Sequence, residues 1–411
     1  MSKTLLVSLV SDQTIPNVQL IKQLGNNETD YFFITTKGME NKGTRVWIEN
    51  ACKIPGEKIK KIEVNQFSFS DIKTKLNQYD FSQYEKILVN LTGGTKIMTL
   101  VASDFFKSIK ADIYYITGQN NEFIKIFPEE EDSIKTFKYS ASLQEYLTAY
   151  GFSLKKSTPS GISFEQTEKI FKAFCTINIM DYNTAVQLIN SNRNRKIDEK
   201  KFDIVSDFLD AIEYTPIHSK YLTKEETKYL SGDWFEEYIG LKIKEELDLT
   251  NDNIFISTEL EKESSQTVRN DTALLLGEKS ESKLNKKNEI DVMFMYNNKF
   301  YSIECKTSII AYRPRQKNNE IIEKSYNILG ETIYKSDSLA KRFGLFADTS
   351  ILTLTDFKEY CESKDLGEHN NKISEMEEII NRANLSNIKL IDKNLLTSGK
   401  PLYELIGIKK N

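Results

Sequence analysis

Lys86-Ile87-Leu88-Val89-Asn90-Leu91-Thr92-Gly93-Gly94-Thr95-Lys96 decides how the first part of this 411-residue chain folds. The apolar run is short enough for a buried strand, and the glycine pair after it permits a tight turn into a helix. Chemically this is an anion site. The glycines let backbone N–H groups approach a ligand, the helix N-terminus attracts negative charge, and Thr92, Thr95 and Lys96 add donors. The spacing is neither that of a Walker A loop nor GxGxxG. The bland alternative is a turn whose glycines only permit the bend.

Outward from this loop, residues 1–130 alternate strand and helix patterns. Strands are expected at Thr4–Val10, Tyr31–Thr35, Lys60–Val64, Lys86–Asn90 and Asp112–Thr117. Helices are expected at Asn17–Leu24, Lys37–Cys52, Ser70–Gln78 and Thr95–Lys110, and a hairpin turning at residues 118–121 closes the unit. This rhythm implies a mostly parallel α/β sheet. The loop after the first strand is then a second ligand candidate, with Ser11, Asp12, Gln13 and Asn17 in reach of a base or ribose. Its bland reading is helix capping by Ser11 or Asp12, with Pro16 in the first turn.

Composition bounds the rest. Lys+Arg at 56 against Asp+Glu at 60 gives −4, while 39% hydrophobic and 11% aromatic residues supply cores and exclude global disorder. No apolar run reaches the ~18 residues of a membrane span. The opening Met1–Val10 reads as a strand rather than a signal peptide, so a cytoplasmic protein is expected. Cys52, Cys175, Cys305 and Cys361 form no CxxC pair, and His218 and His369 stand alone. These spacings argue against a disulfide framework or zinc ribbon and exclude zincin chemistry. A metal site would be built from carboxylates, which favours Mg²⁺ or Mn²⁺. From Tyr139 to Leu230 strand signals fade, and a helical connector is expected over 141–225.

The last part carries a carboxylate cluster. Asp291 enters one strand, and thirteen residues later Glu304-Cys305-Lys306 lies on the next. Residues i and i+2 of a strand share a face, so Glu304 and Lys306 point together and Cys305 points into the core. With Asp291 on the paired strand, two carboxylates and a lysine converge, a hard-metal site beside a cation. Gly232-Asp233-Trp234-Phe235-Glu236-Glu237 opens the preceding helix, where Glu236, or Glu237 about 100° round, completes the cluster. The bland alternative for Glu304 and Lys306 is an edge-strand ion pair worth ~0–1 kcal/mol if exposed. From Lys306 to Arg342 eight basic residues face four acidic ones. Arg313, Arg315, Lys317, Lys341 and Arg342 could neutralise phosphate, with Tyr312 or Tyr326 to stack a base, or could form a solvated basic face. Gln316 and Lys324 could instead support the active site. Trp234 reads as core.

Ser11–Asn17 together with Asn90–Met98 resembles the CARF domain, the Rossmann-like sensor of cyclic oligoadenylates in type III CRISPR systems. Glu236, Asp291, Glu304 and Lys306 resemble the PD-(D/E)xK nuclease pattern, although Ile290 stands where that pattern has Pro. The two together imply an α/β chain of three parts: a CARF sensor domain over 1–140, a helical connector over 141–225, and a restriction-endonuclease-like PD-(D/E)xK domain over 226–411. They imply a homodimer with cyclic tetra-adenylate across its two-fold axis, held by Ser11, Asp12, Gln13, Asn17 and Thr92, Gly93, Gly94, Thr95, Lys96. They also imply Mg²⁺ or Mn²⁺ on Asp291, Glu304, Glu236 and the Cys305 backbone carbonyl, and cleavage of DNA or RNA. Alternatives are a constitutive restriction-type endonuclease, a ligand-responsive regulator with a degenerate nuclease fold, and a sensor that also degrades its ligand.

Overall fold

The computed structural model describes residues 3–118, 121–131, 133–157, 164–262, 288–317, 320–345, 347–362 and 369–410. Side chains at 156–157, 179–180, 288, 312–317, 320–325 and 369–371 are not described. The first sheet contains β1 (Thr4–Leu9), β2 (Thr29–Thr35), β3 (Ile59–Glu63), β4 (Lys86–Asn90), β5 (Asp112–Ile116), β6 (Glu122–Phe127) and β7 (Ile134–Thr136), in the order 3-2-1-4-5-6-7. It is parallel through β5, and β6 and β7 add antiparallel strands. β1 and β2 are buried on both faces, as continuous apolar runs in a parallel sheet require.

Helices α1 (Ile15–Leu24), α2 (Lys37–Lys42), α3 (Thr44–Cys52), α4 (Phe69–Asn77) and α5 (Lys96–Ser108) make the crossovers. The single helix expected over Lys37–Cys52 is two, because Gly43 at φ 85 ends α2 and starts α3. Thr14, rather than Ser11 or Asp12, occupies the N-cap position of α1, and it makes no side-chain cap bond. β1 and β4 are neighbours whose crossovers diverge to opposite sides. Their carboxyl ends form the crevice where open α/β sheets bind ligands.

A capping box at Ser142 and Glu145 starts α6 (Leu143–Ala149). The next element, β8 (Phe152–Ser157), corrects the wholly helical connector expected over 141–225, since it is an edge strand of the second sheet. Two consecutive lysines, at 155 and 156, obscure its strand pattern in the sequence. Then follow α7 (Phe164–Thr176), α8 (Asn183–Ser191), α9 (Glu199–Ala211), α10 (Lys224–Lys228) and, after the wide turn Tyr229–Asp233, α11 (Trp234–Glu246). Phe171 of α7 stacks on Tyr238 of α11 with centroids 4.2 Å apart, so these helices share the core of the second sheet.

That sheet continues with β9 (Ile254–Lys262), β10 (Asn288–Tyr296) and β11 (Lys299–Lys306). A separate hairpin, β12 (Ile310–Lys317) and β13 (Glu320–Asn327), precedes α12 (Leu329–Ala340). β14 (Ala347–Thr353), α13 (Phe357–Glu362), α14 (His369–Leu385), β15 (Ile388–Ile391), α15 (Lys393–Leu396) and α16 (Leu402–Leu405) complete the chain. The order is β15-β14-β11-β10-β9-β8, with β11 parallel to β14 and antiparallel to β10.

The two sheets share one apolar core. It runs from Val18, Ile48 and Tyr146 to Met293, Met295, Phe300 and Phe343. Tyr146 stacks on Phe300 at 5.0 Å. The β10–β11 turn, with Asn297 and Asn298 at φ 49 and 59, plugs into the first half. Asn298 donates to Asn121 Oδ1 at 2.6 Å and to the Tyr139 carbonyl at 2.8 Å, and accepts from Ala141 N–H at 2.7 Å. Among the described residues no helix is long and apolar enough to cross a membrane.

Candidate functional site

The loops after β1 and β4 meet at their glycines. Gly93 has φ 133, and a Cβ there would lie 2.7 Å from the Leu9 carbonyl oxygen. Only glycine permits that approach. Thr95 caps α5 by accepting from Met98 N–H, and donates its hydroxyl to the Gln66 carbonyl at 3.1 Å. Lys96, the first residue of α5, is exposed and has no ion-pair partner among the described residues. Thr92 accepts from Ile116 N–H at 2.6 Å, which ties the loop to β5.

Asn17 is the clearest departure from the sequence expectation. It is fully buried, donating to the Leu9 carbonyl at 2.9 Å and accepting from Asn90 at 2.8 Å. Its place is inside the scaffold that holds the two loops together, not on their ligand face. Asp12 pairs with Lys42, and Ser11 donates weakly to the Gln13 carbonyl at 3.4 Å. Gln13 turns away from the loop: its Oε1 accepts from Leu345 N–H at 2.9 Å. The structure thus brings Ser11, Asp12, Thr92, Gly93, Gly94, Thr95 and Lys96 to one crevice and places Asn17 beneath it.

The carboxylate cluster lies in the middle of the second sheet. β11 is flanked on both sides, so Glu304 and Lys306 are not an edge-strand pair. Asp291 and Glu304 are each 6% exposed. The Lys306 ammonium lies 2.8 Å from Glu304 Oε1, 2.9 Å from the Cys305 carbonyl and 3.5 Å from Asp291 Oδ2. Cys305 N–H donates to Asp291 Oδ2 at 2.7 Å, while its side chain is in the core. Lys335, on α12, donates to the same Glu304 oxygen at 3.0 Å. Sequence reasoning missed this lysine. It stands 29 residues beyond Lys306, and nothing local distinguishes it from a solvated helix lysine.

The helix carboxylates separate cleanly. Glu236 accepts from Ser257 Oγ at 2.6 Å and feels the charge of Asp291. Glu237 instead faces Tyr229, raising that phenol's pKa after burial has done so. Burial, then the Asp291 charge, pushes Glu236 up to about 8. Burial, then the Glu304 charge, pushes Asp291 up to about 6. For Glu304, burial also acts upward, but the Lys306 and Lys335 ammonium groups outweigh it and hold the carboxyl below its usual range.

Carboxylates and a backbone carbonyl are the oxygen donors a hard divalent cation takes. The Lys306 ammonium, held by three of those groups, marks where positive charge is favoured. Among the described residues, however, no three His, Cys, Asp or Glu side chains converge closely enough to hold an ion in this arrangement. Arg313, Arg315 and Lys317 lie on β12, which leaves the sheet four residues after Lys306. Their side chains, with those of Tyr312, Gln316 and Lys324, fall outside the described residues. Tyr326 is half-buried, and Lys341 pairs with Asp337.

Fold and sites together define a Rossmann-like domain joined through a common core to a mixed sheet bearing a carboxylate–lysine centre. Residues 5–146 match the family model described as the Card1 CARF domain. Among solved structures, Can2 from Sulfobacillus thermosulfidooxidans in complex with cyclic tetra-adenylate aligns over 98% of this chain and 100% of its own, with TM-score 0.67 and 18% identity. VC1899 from Vibrio cholerae aligns over 98% of this chain and 99% of its own, with TM-score 0.66 and 16% identity. At these identities the likeness is one of fold. No curated protein matches the chain.

Proposed function

We propose that this protein is a cyclic-oligoadenylate-activated, metal-dependent endonuclease of type III CRISPR defence. The observation that carries the reading is the buried Asp291–Glu304–Lys306 centre at the middle of the second sheet, in a chain whose first domain matches the Card1 CARF model. Can2, whose fold aligns over 98% of this chain, was solved with cyclic tetra-adenylate, which supports that ligand as activator. A homodimer would place two copies of Ser11, Asp12 and the Thr92–Lys96 loop around one ring.

Asp291, Glu304, the Cys305 carbonyl and Glu236 would hold Mg²⁺ or Mn²⁺. A bound divalent cation would polarise the scissile phosphate and acidify a water. Lys306 would then leave the carboxylates and stabilise charge growing on the phosphate. The β12–β13 hairpin, rooted beside Lys306, would carry Arg313, Arg315 and Lys317 along a DNA or RNA backbone.

One observation favours a second reading, a ligand-responsive regulator without catalysis: Lys306 sits among the acidic groups and they do not converge. Incubation with single-stranded DNA, supercoiled plasmid and RNA separates the two. Cleavage that needs both Mn²⁺ and cyclic tetra-adenylate supports the nuclease. Intact nucleic acid with demonstrable ligand binding supports the regulator.

A further inference from the structure

Lys335 and the turn beyond it connect the nuclease centre to the ligand crevice through one helix. Lys335 donates to Glu304 Oε1 at 3.0 Å, the oxygen that also takes Lys306 at 2.8 Å. Two ammonium groups on Glu304 Oε1 compete with a cation for that oxygen and repel it by charge. α12 then enters the turn Lys341–Phe343, and the chain there is pinned to the first half twice. Tyr146 donates its hydroxyl to the Phe343 carbonyl at 2.6 Å. Gln13, in the loop after β1, accepts from Leu345 N–H at 2.9 Å. Gly344 makes this closeness possible: it has φ 86, and a Cβ there would lie 2.7 Å from Gln13 Oε1.

A small gap lined by Ile290, Ser302, Glu304, Ser336 and Phe343 separates α12 from the sheet, and the Ser336 hydroxyl is buried without a hydrogen-bond partner. Charge also crowds the junction. Lys262 is disfavoured as a cation by burial and then by Lys42 and Arg342, with Asp12 opposing them. An anionic ligand in the crevice would therefore act on charges beside the turn, Asp12 and Lys42 among them.

We propose that Gln13 is a positioning residue that latches the nuclease centre. Its bond to Leu345 seats α12 so that Lys335 covers Glu304, and a ligand that engages the β1 loop releases the helix. The latch rests on the sensor–nuclease reading for its purpose but can be measured apart from it.

Leu345→Pro removes the N–H at a side chain that is 80% exposed, after a glycine that tolerates a following proline. Leu345→Ala keeps the N–H and serves as control. Mn²⁺ binding is read by calorimetry on the full chain without nucleic acid. Cleavage of labelled single-stranded DNA is read with Mn²⁺, with and without cyclic tetra-adenylate. Leu345→Pro should bind Mn²⁺ about tenfold tighter in the absence of ligand, with ligand-free cleavage rising by a similar factor. Leu345→Ala should match the wild type. Should the proline variant not fold, Gln13→Ala should reproduce the gain, and Gln13→Glu, which keeps an acceptor oxygen, should restore wild-type Mn²⁺ affinity. Folded variants with wild-type Mn²⁺ affinity and ligand-free cleavage overturn the latch. A wild type that cleaves nothing with ligand and metal overturns the sensor–nuclease reading instead, and the Mn²⁺ titration still decides the latch.

Discussion

Glu304 was legible as a candidate because it shares a strand with Lys306 at a spacing of two, which puts both side chains on one face. Its second cation was not legible, because Lys335 reaches it only through tertiary packing. Asn17 shows the opposite failure. A polar residue in a loop at a sheet's carboxyl end reads as a ligand contact, but here its amide satisfies the buried Leu9 carbonyl and Asn90. Glu304→Ala and Asp291→Ala should each lower metal-dependent cleavage by at least about 100-fold while cyclic tetra-adenylate binding, read by calorimetry, is unchanged. Glu236 gives a pH prediction. Its carboxyl is raised to about 8, so between the ordinary carboxylate range and that value the folded chain holds a proton the unfolded chain has lost. The associated stability is present at low pH and disappears as pH rises through about 8. Asp291, raised to about 6, has already titrated in the upper part of this window. In chelator, wild-type Tm should therefore fall from about pH 6 to about pH 8 relative to Glu236→Gln, which cannot ionise. Parallel Tm curves for the two proteins would remove Glu236 from the cluster.

At the scale of elements, the parallel sheet was readable because β1, β2 and β4 are built on apolar runs separated by glycine or polar turns. The loop between β4 and α5 is specified by its chemistry: positive φ at Gly93, a Thr95 cap and an exposed Lys96. Gly93→Ala would strain a backbone already against the Leu9 carbonyl and should cost about 1–3 kcal/mol, read by urea unfolding. Lys96→Ala should weaken cyclic tetra-adenylate binding roughly tenfold, the worth of one charge-assisted hydrogen bond, with little change in Tm. Unchanged affinity would take Lys96 out of the ligand site. β8 was missed because an edge strand carrying lysines looks polar, and its partner β9 is distant in sequence. The π-type turn at Tyr229–Asp233 was likewise hidden inside what reads as one helix start.

For the whole molecule, the consequential finding is that the two sheets do not stand apart. Tyr146, Phe300 and Phe343 belong to one core, and Asn298 bonds the β10–β11 turn to residues 121, 139 and 141. The sequence could suggest that turn from Asn297-Asn298, but not that its side chain would cross between halves. Asn298→Gly keeps the positive φ and removes those bonds. It should lower stability by about 1–3 kcal/mol and broaden or split the single unfolding transition expected of a shared core. A chain joined in this way can carry a ligand's effect from the β1–β4 crevice to Glu304 without a free hinge. On this reading, ligand in the crevice governs the carboxylate centre. The deciding experiment incubates the purified full chain with single-stranded DNA and Mn²⁺, with and without cyclic tetra-adenylate. Cleavage that appears only when ligand and metal are both present is the result expected. Cleavage at equal rate without ligand would contradict it, leaving the first domain as a structural partner of a constitutive enzyme.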